Sequence, residues 1–349
     1  KYFPLLDNKS IGVVGNQSSL IGSTHLVDSL LSTKQQVVKV FSPEHGFRGT
    51  ADAGAHIESG VDEKTGLPIV SLYGNNKKPT ANQLQGIDIL LFDIQDVGAR
   101  FYTYISTLHY VMEAAAENSI PLVVLDRPNP NGHYVDGPIL DSAYRSFVGM
   151  HPIPIVHGMT IGEYAQMING QQWLKNGVQC QLTVITMQGY SRTMPYDLPI
   201  KPSPNLPNAQ AVNLYPSLCL FEGTNVSVGR GTDLPFQHYG APYLKNDYFF
   251  IPKSGEGAKY PKHEGQKCYG KDLSQFSKLS QLDLSYLIDA YQQSADKDTF
   301  FNTFFDKLAG GSDLRLSIIG GKSEEEIRKS WADGLNVFKE QSDPYLIYK

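Results

Sequence analysis

The chain has 349 residues, and its 30 basic and 35 acidic side chains give a formal net charge of −5. This mild acidity, in a chain without a block of basic residues, argues against a nucleic-acid-binding protein. The length favours two structural units, and apolar runs interrupted by Asp93 and Asp126 fall short of the roughly 20 residues that a membrane-spanning helix requires.

The first two thirds of the chain alternate predicted strands and helices. Apolar, β-branched runs predict strands over residues 11–14, 35–41, 69–72, 87–92, 121–125 and 181–186. Helical patterns predict helices over residues 24–31, 103–118 and 161–174. The last of these follows Thr160, which has capping-box spacing with Glu163. Because such alternation is typical of a mainly parallel sheet covered on both faces, we predict a Rossmann-like α/β domain over residues 1–232.

The rest of the chain has a different pattern. From about Pro235 an aromatic, Gly- and Pro-rich stretch gives way to helices, which predicts a smaller C-terminal α+β domain over residues 233–349. Its clearest helix begins at Ser323, which has capping-box spacing with Glu326. One apolar stripe follows, formed by Ile327, Trp331, Leu335 and Phe338. We expect residues 345–348 to form a last strand.

Polar side chains follow three of the predicted strands at the points where those strands end. They are Glu44, His45 and Arg48 after the second strand, Asp93, Gln95, Asp96 and Arg100 after the fourth, and Asn129 and Asn131 after the fifth. Ligands of doubly wound sheets bind outside the carboxyl ends of the strands, so we predict a ligand site along this edge. Two structural explanations stay open, namely a loop ion pair between Glu44 and Arg48 and a turn-forming role for the asparagines.

Sequence motifs give no support for a cofactor, a metal or a catalytic serine. Residues 12–16 lack the GxGxxG spacing, and no P-loop, HExxH or GxSxG sequence is present. Three widely spaced cysteines predict no disulfide framework, and we interpret Cys180 and Cys219 as small buried side chains. The remaining potential metal ligands match no zinc pattern and are interpreted as solvated loop residues: His45, Asp52, His56 and Glu58. We predict no cofactor and no metal.

Longer motifs extend over nearly the whole chain. They are SPEHGFRG from Ser42, HIESGVDEKTGLPIVSLYG from His56, DILLFDIQDVGARFYTYISTL from Asp88, DRPNPNG from Asp126, PSPNLP from Pro202 and LFEGTNVSVGRGTDLPF from Leu220. In these motifs the chain resembles the exo-acting β-N-acetylmuramidases of the NamZ family. Residues 246–282 match less well, and Val228 stands where the family often has an acid, so we assign that position no role.

The resemblance implies a glycoside hydrolase that releases N-acetylmuramic acid from the non-reducing end of peptidoglycan fragments. It also implies a site in the cleft between the two domains. We expect a periplasmic or secreted protein whose signal peptide or lipoprotein leader has been removed. The expected partners are peptidoglycan-derived disaccharides or glycan fragments. The sequence leaves the oligomeric state and the choice between inversion and retention open.

Glycoside hydrolysis requires a protonated carboxyl group and a second anionic or polar group. We predict Glu44 as the general acid, because Pro43 and Phe47 are positioned to desolvate it. The second carboxylate stays open among Asp93, Asp96 and Glu222. The acetamido group of the substrate is a further alternative.

Substrate recognition requires a cation for the lactyl carboxylate that distinguishes N-acetylmuramic acid from N-acetylglucosamine. Arg48, Arg100 and Arg230 are the predicted readers of that carboxylate. Tyr102 and Tyr104 stack on the sugar or belong to the core. Asn129, Asn131 and Asn225 are the predicted partners of hydroxyl or acetamido groups, and His45 and Gln95 are further predicted substrate-binding residues. A non-catalytic protein that binds sugars or muropeptides is the main alternative, and a metal-dependent amide or ester hydrolase is a weaker one.

Overall fold

The computed structural model describes residues 2–44, 46–48 and 60–349. In these ranges the strands are β1 (Ser10–Gly15), β2 (Leu20–Ile21), β3 (Thr24–His25), β4 (Gln36–Ser42), β5 (Gly60–Val61), β6 (Pro68–Ser71), β7 (Ile89–Asp93), β8 (Leu122–Leu125), β9 (Leu182–Ile185), β10 (His238–Ala241), β11 (Tyr248–Phe250) and β12 (Cys268–Asp272). The helices are α1 (Phe3–Leu6), α2 (Leu26–Ser32), α3 (Ala81–Leu84), α4 (Tyr104–Glu117), α5 (Ile161–Gly170), α6 (Ala209–Leu218), α7 (Ser285–Gln293), α8 (Phe305–Ala309), α9 (Asp313–Ile319) and α10 (Glu324–Ser342).

The main sheet has the order β5-β6-β4-β1-β7-β8-β9. All neighbouring strands are parallel except β5, which pairs antiparallel with β6 at one edge. From β1 the chain builds outward through β4 and β6 on one side, and then through β7, β8 and β9 on the other. The order therefore reverses beside β1, and a crevice opens there at the carboxyl ends of the strands. This topology confirms the predicted Rossmann-like sheet.

The central strands are buried on both faces, as strands in a doubly wound sheet must be. All five residues of β7 are buried, and in β1 only Ser10 is partly accessible. Ile11 and Val13 pack with α2 in one apolar cluster, whereas Val14 packs with α4 and α5 in a larger cluster on the opposite face. That larger cluster continues into the C-terminal part of the chain, so one core connects the sheet to the second domain.

A smaller α+β unit follows the sheet, as predicted. Its antiparallel sheet has the order β10-β12-β11, and helices α7 to α10 complete it. The capping box of Ser323 and Glu326 is present, and α10 buries the predicted apolar stripe through Ile327, Trp331 and Phe338. The domain boundary after residue 232 stays a prediction. No helix within the described ranges is long and apolar enough to cross a membrane.

Two helix boundaries differ from the predictions for local reasons. Helix α2 begins two residues late, because Thr24 and His25 pair with β2 and the His25 ring caps the helix by accepting from Val27 N. Helix α5 ends at Gly170, and Gln172 beyond it has a positive φ of 55° that no right-handed helix contains. The capping box of Thr160 and Glu163 is confirmed at the other end of α5.

The predicted strand over residues 345–348 is wrong. Residues Asp343–Tyr345 form a 3-10 turn, and the chain then lies against α5. Ile347 N and Tyr348 N donate to Glu163 Oε1 at 2.7 and 3.1 Å. Because a side-chain carboxylate accepts these two hydrogen bonds in place of the carbonyls of a neighbouring strand, no ladder forms. The three cysteines are free and buried, which confirms the interpretation of Cys180 and Cys219.

Candidate active site

A cleft of about 570 Å³ separates the carboxyl edge of the sheet from the second domain. Glu44 enters it from the end of β4, and Glu222 enters from a 3-10 turn, Cys219–Gly223, that follows α6. Arg230 and Lys262 also line the cleft. A side hollow of about 80 Å³ shares Glu44 and Arg230 with the cleft and extends towards Asn205. Two acids and two cations from different parts of the chain therefore meet in one concave site.

Hydroxyl groups surround the carboxylate of Glu44. Strand β4 ends at Ser42, and Pro43 follows, so Glu44 leaves the sheet at its carboxyl edge. Thr103 Oγ1 donates to Glu44 Oε2 at 3.3 Å, and the Tyr73 hydroxyl also bonds to this carboxylate. Burial and the negative charge of Glu44 together raise the pKa of Tyr73, which therefore stays a proton donor. These contacts fix the side chain of Glu44 at the wall of the cleft.

Cationic groups surround the carboxylate of Glu222. Arg230 Nε donates to Glu222 Oε1 at 3.1 Å, and the Glu222 side chain is 25% exposed. Burial acts to raise the pKa of Glu222, but the positive charges of Arg230 and Lys262 outweigh it and hold that pKa below its ordinary value. Arg230 in turn lies 5.0 Å above the ring of Phe236. At neutral pH Glu222 is therefore a carboxylate anion that still faces the cleft.

Sequence comparison identifies the family of this two-acid cleft. A model described as "Exo-beta-N-acetylmuramidase NamZ, N-terminal" matches residues 11–210, and its C-terminal counterpart matches residues 213–348. The chain belongs to the NamZ family of exo-β-N-acetylmuramidases.

Relatives in the NamZ family share the whole chain. The chain is 41% identical to the peptidoglycan β-N-acetylmuramidase NamZ of Bacillus subtilis (strain 168), over 99% of its own length and 89% of that protein. A crystal structure of a DUF1343 family protein from Bacteroides fragilis superimposes with a TM-score of 0.93 at 49% identity, covering 100% of this chain and 96% of that one. A second such structure from B. fragilis has a TM-score of 0.86 at 30% identity, covering 99% and 96%.

The family motif DILLFDIQDVGAR contributes structural contacts through several predicted site residues. Asp93 is 1% exposed and lies against Arg127, which donates from Nε and Nη2 to its two oxygens at 2.5 and 2.9 Å. Asp96 Oδ2 accepts from Gly98 N at 2.7 Å, and Gln95 Nε2 donates to the carbonyls of Asp96 and Pro128. The structure does not bring Asp93, Gln95 or Asp96 to the cleft wall.

Two of the three predicted arginines have other partners. Arg48 donates to both oxygens of Asp62 at 2.7 Å and to Asp28 at 3.2 Å, and these carboxylates raise its pKa. Arg100 is fully buried, and its guanidinium donates to the carbonyls of Pro138, Ile153 and Leu308. In both positions the guanidinium binds acceptors inside the protein and stabilises the fold.

Three of the predicted residues have hydrogen-bond partners beside the cleft, and four others fall outside the described residues. Tyr102 and Tyr104 line the side hollow and donate from their hydroxyls to the Pro202 carbonyl at 2.9 and 3.3 Å. Asn225 accepts from the Tyr243 hydroxyl at 2.6 Å. The predicted residues that fall outside the described ranges are His45, Asp52, His56 and Glu58.

The asparagines of the family motif DRPNPNG form a turn. Asn129 Oδ1 accepts from Asn131 N at 2.8 Å, and Asn129 Nδ2 donates to the Met159 carbonyl. Asn131 Nδ2 donates to the carbonyls of Val97 and Val212 at 2.9 and 3.0 Å. These bonds correspond to the turn-forming explanation that the sequence left open.

The cleft residues that were not predicted from sequence include Tyr73, Thr103, Tyr215 and Lys262. Tyr73 follows β6 within the motif SLYG, and Thr103 lies between β7 and α4. Both lie after strands of the sheet, so the expectation that ligands bind outside the carboxyl ends of strands could have identified them. Tyr215 lies on α6, where its ring has the spacing of a core residue. Lys262 lies in the stretch with few family motifs, and no pattern in the sequence indicates its role.

Proposed function

We propose that this chain is an exo-β-N-acetylmuramidase that releases N-acetylmuramic acid from the non-reducing end of peptidoglycan fragments. The observation that carries the proposal is the meeting of Glu44 and Glu222 in one cleft of a NamZ-family chain. Glycosidases use two carboxyl groups for this reaction, one protonated and one ionised. The cations beside Glu222 favour its ionised form, and Glu44 is the proposed proton donor.

Glu222 is the anion and Glu44 the acid in this mechanism. Glu44 delivers its proton to the glycosidic oxygen as the bond from that oxygen to the anomeric carbon breaks. The carboxylate of Glu222 stabilises the positive charge that develops at the anomeric carbon. Water then forms a bond to that carbon, and the proton that it loses restores the acid form of Glu44, directly or through solvent. The Arg230 contact supports this assignment, because a carboxylate held by a guanidinium stays ionised at neutral pH.

Arg230 is the proposed reader of the lactyl carboxylate. Its Nε is used by Glu222, whereas its Nη1 and Nη2 have no hydrogen bond within the part of the chain that the structure describes. A guanidinium with two donors directed away from its first partner can hold a second carboxylate. Arg48 and Arg100 lack this freedom, because each is bound to two or more acceptors inside the protein.

A chromogenic β-N-acetylmuramide tests the proposal directly. We expect the purified protein to release the aglycone and free N-acetylmuramic acid, and to act much more slowly on the matching β-N-acetylglucosaminide. From a defined glycan fragment, chromatography should show release of single sugars from the non-reducing end only. Binding of the fragment without release of any sugar would instead identify a non-catalytic binding protein.

A periplasmic or secreted location is part of the same proposal. Peptidoglycan lies outside the cytoplasmic membrane, so an enzyme that acts on its fragments has its substrate there. Fractionation of the source cells, with detection of the protein by antibody, tests this location. Recovery of the protein in the cytoplasmic fraction alone would contradict it and leave the proposed chemistry intact.

A further inference from the structure

The turn that carries Glu222 is held by a lysine from the second domain. We refer to residues 221–226 as the Glu222 turn. Lys262 Nζ lies 2.8 Å from the Phe221 carbonyl oxygen and 2.7 Å from that of Thr224. It lies 3.3 Å from the carbonyl oxygens of Glu222 and Val226. One ammonium group therefore collects four backbone carbonyls of a six-residue segment.

The remaining carbonyls of the Glu222 turn have partners from the same domain. His263 Nε2 lies 2.6 Å from the Asn225 carbonyl oxygen. Asn302 N donates to the Gly223 carbonyl at 2.9 Å. Gly223 itself packs against α8 so closely that a Cβ there would lie 2.4 Å from the Cα of Phe305. The turn therefore has internal hydrogen bonds from Thr224 to the Phe221 carbonyl, and donors from residues 262, 263 and 302 hold its carbonyl groups from outside.

Lys262 also affects the charge in the cleft. Burial lowers the pKa of Lys262, while the Glu222 carboxylate opposes that change. The titratable groups that interact with Glu222 are Arg230, Lys262, Cys219 and Tyr215, and Glu44, Lys259 and Tyr260 line the same cleft. Burial raises the pKa of both Cys219 and Tyr215, so these two are neutral near pH 7 and the two cations determine the state of Glu222.

We propose that Lys262 is a positioning residue, whose ammonium group holds the Glu222 turn in the shape that presents the Glu222 carboxylate to the substrate. This inference rests on the proposed role of Glu222. Lys262 acts through its carbonyl contacts and its charge, and it does not react. A displacement of about 1 Å at a reacting group can reduce turnover about 100-fold, so the carbonyl contacts of one lysine have catalytic consequences.

The substitution Lys262→Met tests the proposal, because Met keeps a long unbranched side chain and removes the charge. We expect kcat on the chromogenic muramide to fall roughly 10- to 100-fold, with KM changed by less than about threefold. The acidic limb of the pH profile should move to higher pH, since Glu222 loses one of its cations. In Lys262→Ala, ammonium chloride should restore part of kcat, because an ammonium ion can bind the four carbonyls that Lys262 leaves. Tetramethylammonium chloride at the same concentration should not, because this cation has no N–H group to donate.

The matched control is Lys253→Met, which removes an exposed lysine of the same loop. It should leave kcat and the pH profile unchanged. A carboxyl-carbon NMR titration of Glu222 makes the test independent of turnover: its pKa should be higher in Lys262→Met than in the parent. If the parent protein is inactive on the muramide but the Glu222 pKa is higher in Lys262→Met than in the parent, the muramidase proposal is wrong and the role of Lys262 is retained. An unchanged Glu222 pKa, or equal kcat in parent and Lys262→Met, would overturn the positioning role.

Discussion

Besides the cleft and its side hollow, the carboxyl edge of the sheet has a larger second hollow, and the acids of the cleft and of this second hollow differ in their hydrogen bonding. The second hollow, of about 630 Å³, is lined by Asp93, Asp126 and Arg127 from the ends of β7 and β8. There Asp93 has both oxygens bound by Arg127. In the cleft, Glu222 receives one hydrogen bond from an arginine and keeps a quarter of its side chain exposed.

The other acid of the second hollow, Asp126, is also fully bonded. Its oxygens accept from Arg127 N, Gly162 N, Thr160 Oγ1 and the Tyr348 hydroxyl at 2.7–3.0 Å. The two hollows thus resemble each other in composition and in position along the sheet. Unused hydrogen-bonding capacity distinguishes them: an acid whose oxygens are all bound stabilises the fold, whereas an acid with an open oxygen is available to a substrate.

The largest effect should follow Glu44→Gln. This change removes the ionisable proton and keeps the volume, so turnover of the muramide should fall by about 10²–10⁴. The free energy of unfolding, measured by urea denaturation, should stay within about 0.5 kcal/mol of the parent value. Turnover within about threefold of the parent would remove Glu44 from the mechanism, because general acid catalysis contributes more than that.

The change Asp93→Asn should have the opposite profile. It leaves the largely buried guanidinium of Arg127 without a carboxylate partner, and this uncompensated charge should lower the free energy of unfolding by about 3–5 kcal/mol. Activity per folded molecule should stay near that of the parent. The double variant Asp93→Asn/Arg127→Met is the control, and it should lose less stability than the sum of the two single changes. A loss of kcat at full stability would place Asp93 in the chemistry after all.

Arg230→Ala should act on selectivity. Hydrogen bonds between charged groups contribute about 1.5–3 kcal/mol, so kcat/KM for the muramide should fall roughly 10- to 100-fold more than for the N-acetylglucosaminide. Arg230→Lys should restore part of the preference, because an ammonium lacks the planar pair of donors. If both substrates lose kcat/KM equally in Arg230→Ala, the arginine serves Glu222 only and another group reads the lactyl carboxylate.

Tyr348→Phe should produce the smallest effect, and that effect should depend on pH. Burial raises the pKa of Asp126 to about 6, above its ordinary value. Protonated Asp126 therefore stabilises the folded protein at low pH, and this contribution to the free energy of unfolding is lost as the pH rises through about 6. The Tyr348 hydroxyl favours the ionised form of Asp126 and opposes that loss. Removing it should therefore cost about 1–2 kcal/mol at pH 7.5 and less at pH 5.

Tyr345→Phe is the matched control for this pH dependence. The Tyr345 hydroxyl bonds to the neutral amide of Gln171 at 3.0 Å, so its removal should cost the same free energy of unfolding at both pH values. Denaturant titrations of both variants at pH 5 and 7.5 provide the measurement. Equal costs at both pH values for Tyr348→Phe would show that Asp126 does not titrate between them.

Local patterns predicted most of the fold. The six parallel strands of the main sheet were found within two residues, because buried strands are continuous apolar runs bounded by turn residues, whereas the short antiparallel edge strand β5 was not predicted. The tail over 345–348 was mistaken for a strand, since nothing near Ile347 and Tyr348 in sequence indicates that Glu163 accepts their N–H groups. Its partner is 184 residues away from Ile347 along the chain.

Sequence predicted the edge that holds the site and a set of acids that contains both cleft carboxyls. It left Asp93, Asp96 and Glu222 equivalent, because their difference depends on which donors the fold brings to each carboxylate. Arg127, which saturates Asp93, follows a different strand. Lys262 was beyond prediction for a related reason: its partners are backbone carbonyls, which every residue has and no sequence pattern distinguishes.

Residues 345–348, at the end of the second domain, form a second contact between that domain and the sheet domain. The chain passes from the sheet to the second domain through α6, and after α10 it returns to lie against α5. Gly170 permits this return, since a Cβ there would lie 2.3 Å from the ring of Tyr345. Glu163 and Asp126 therefore take hydrogen bonds from residues 347 and 348, and a variant that lacks these residues would leave both acids without those donors.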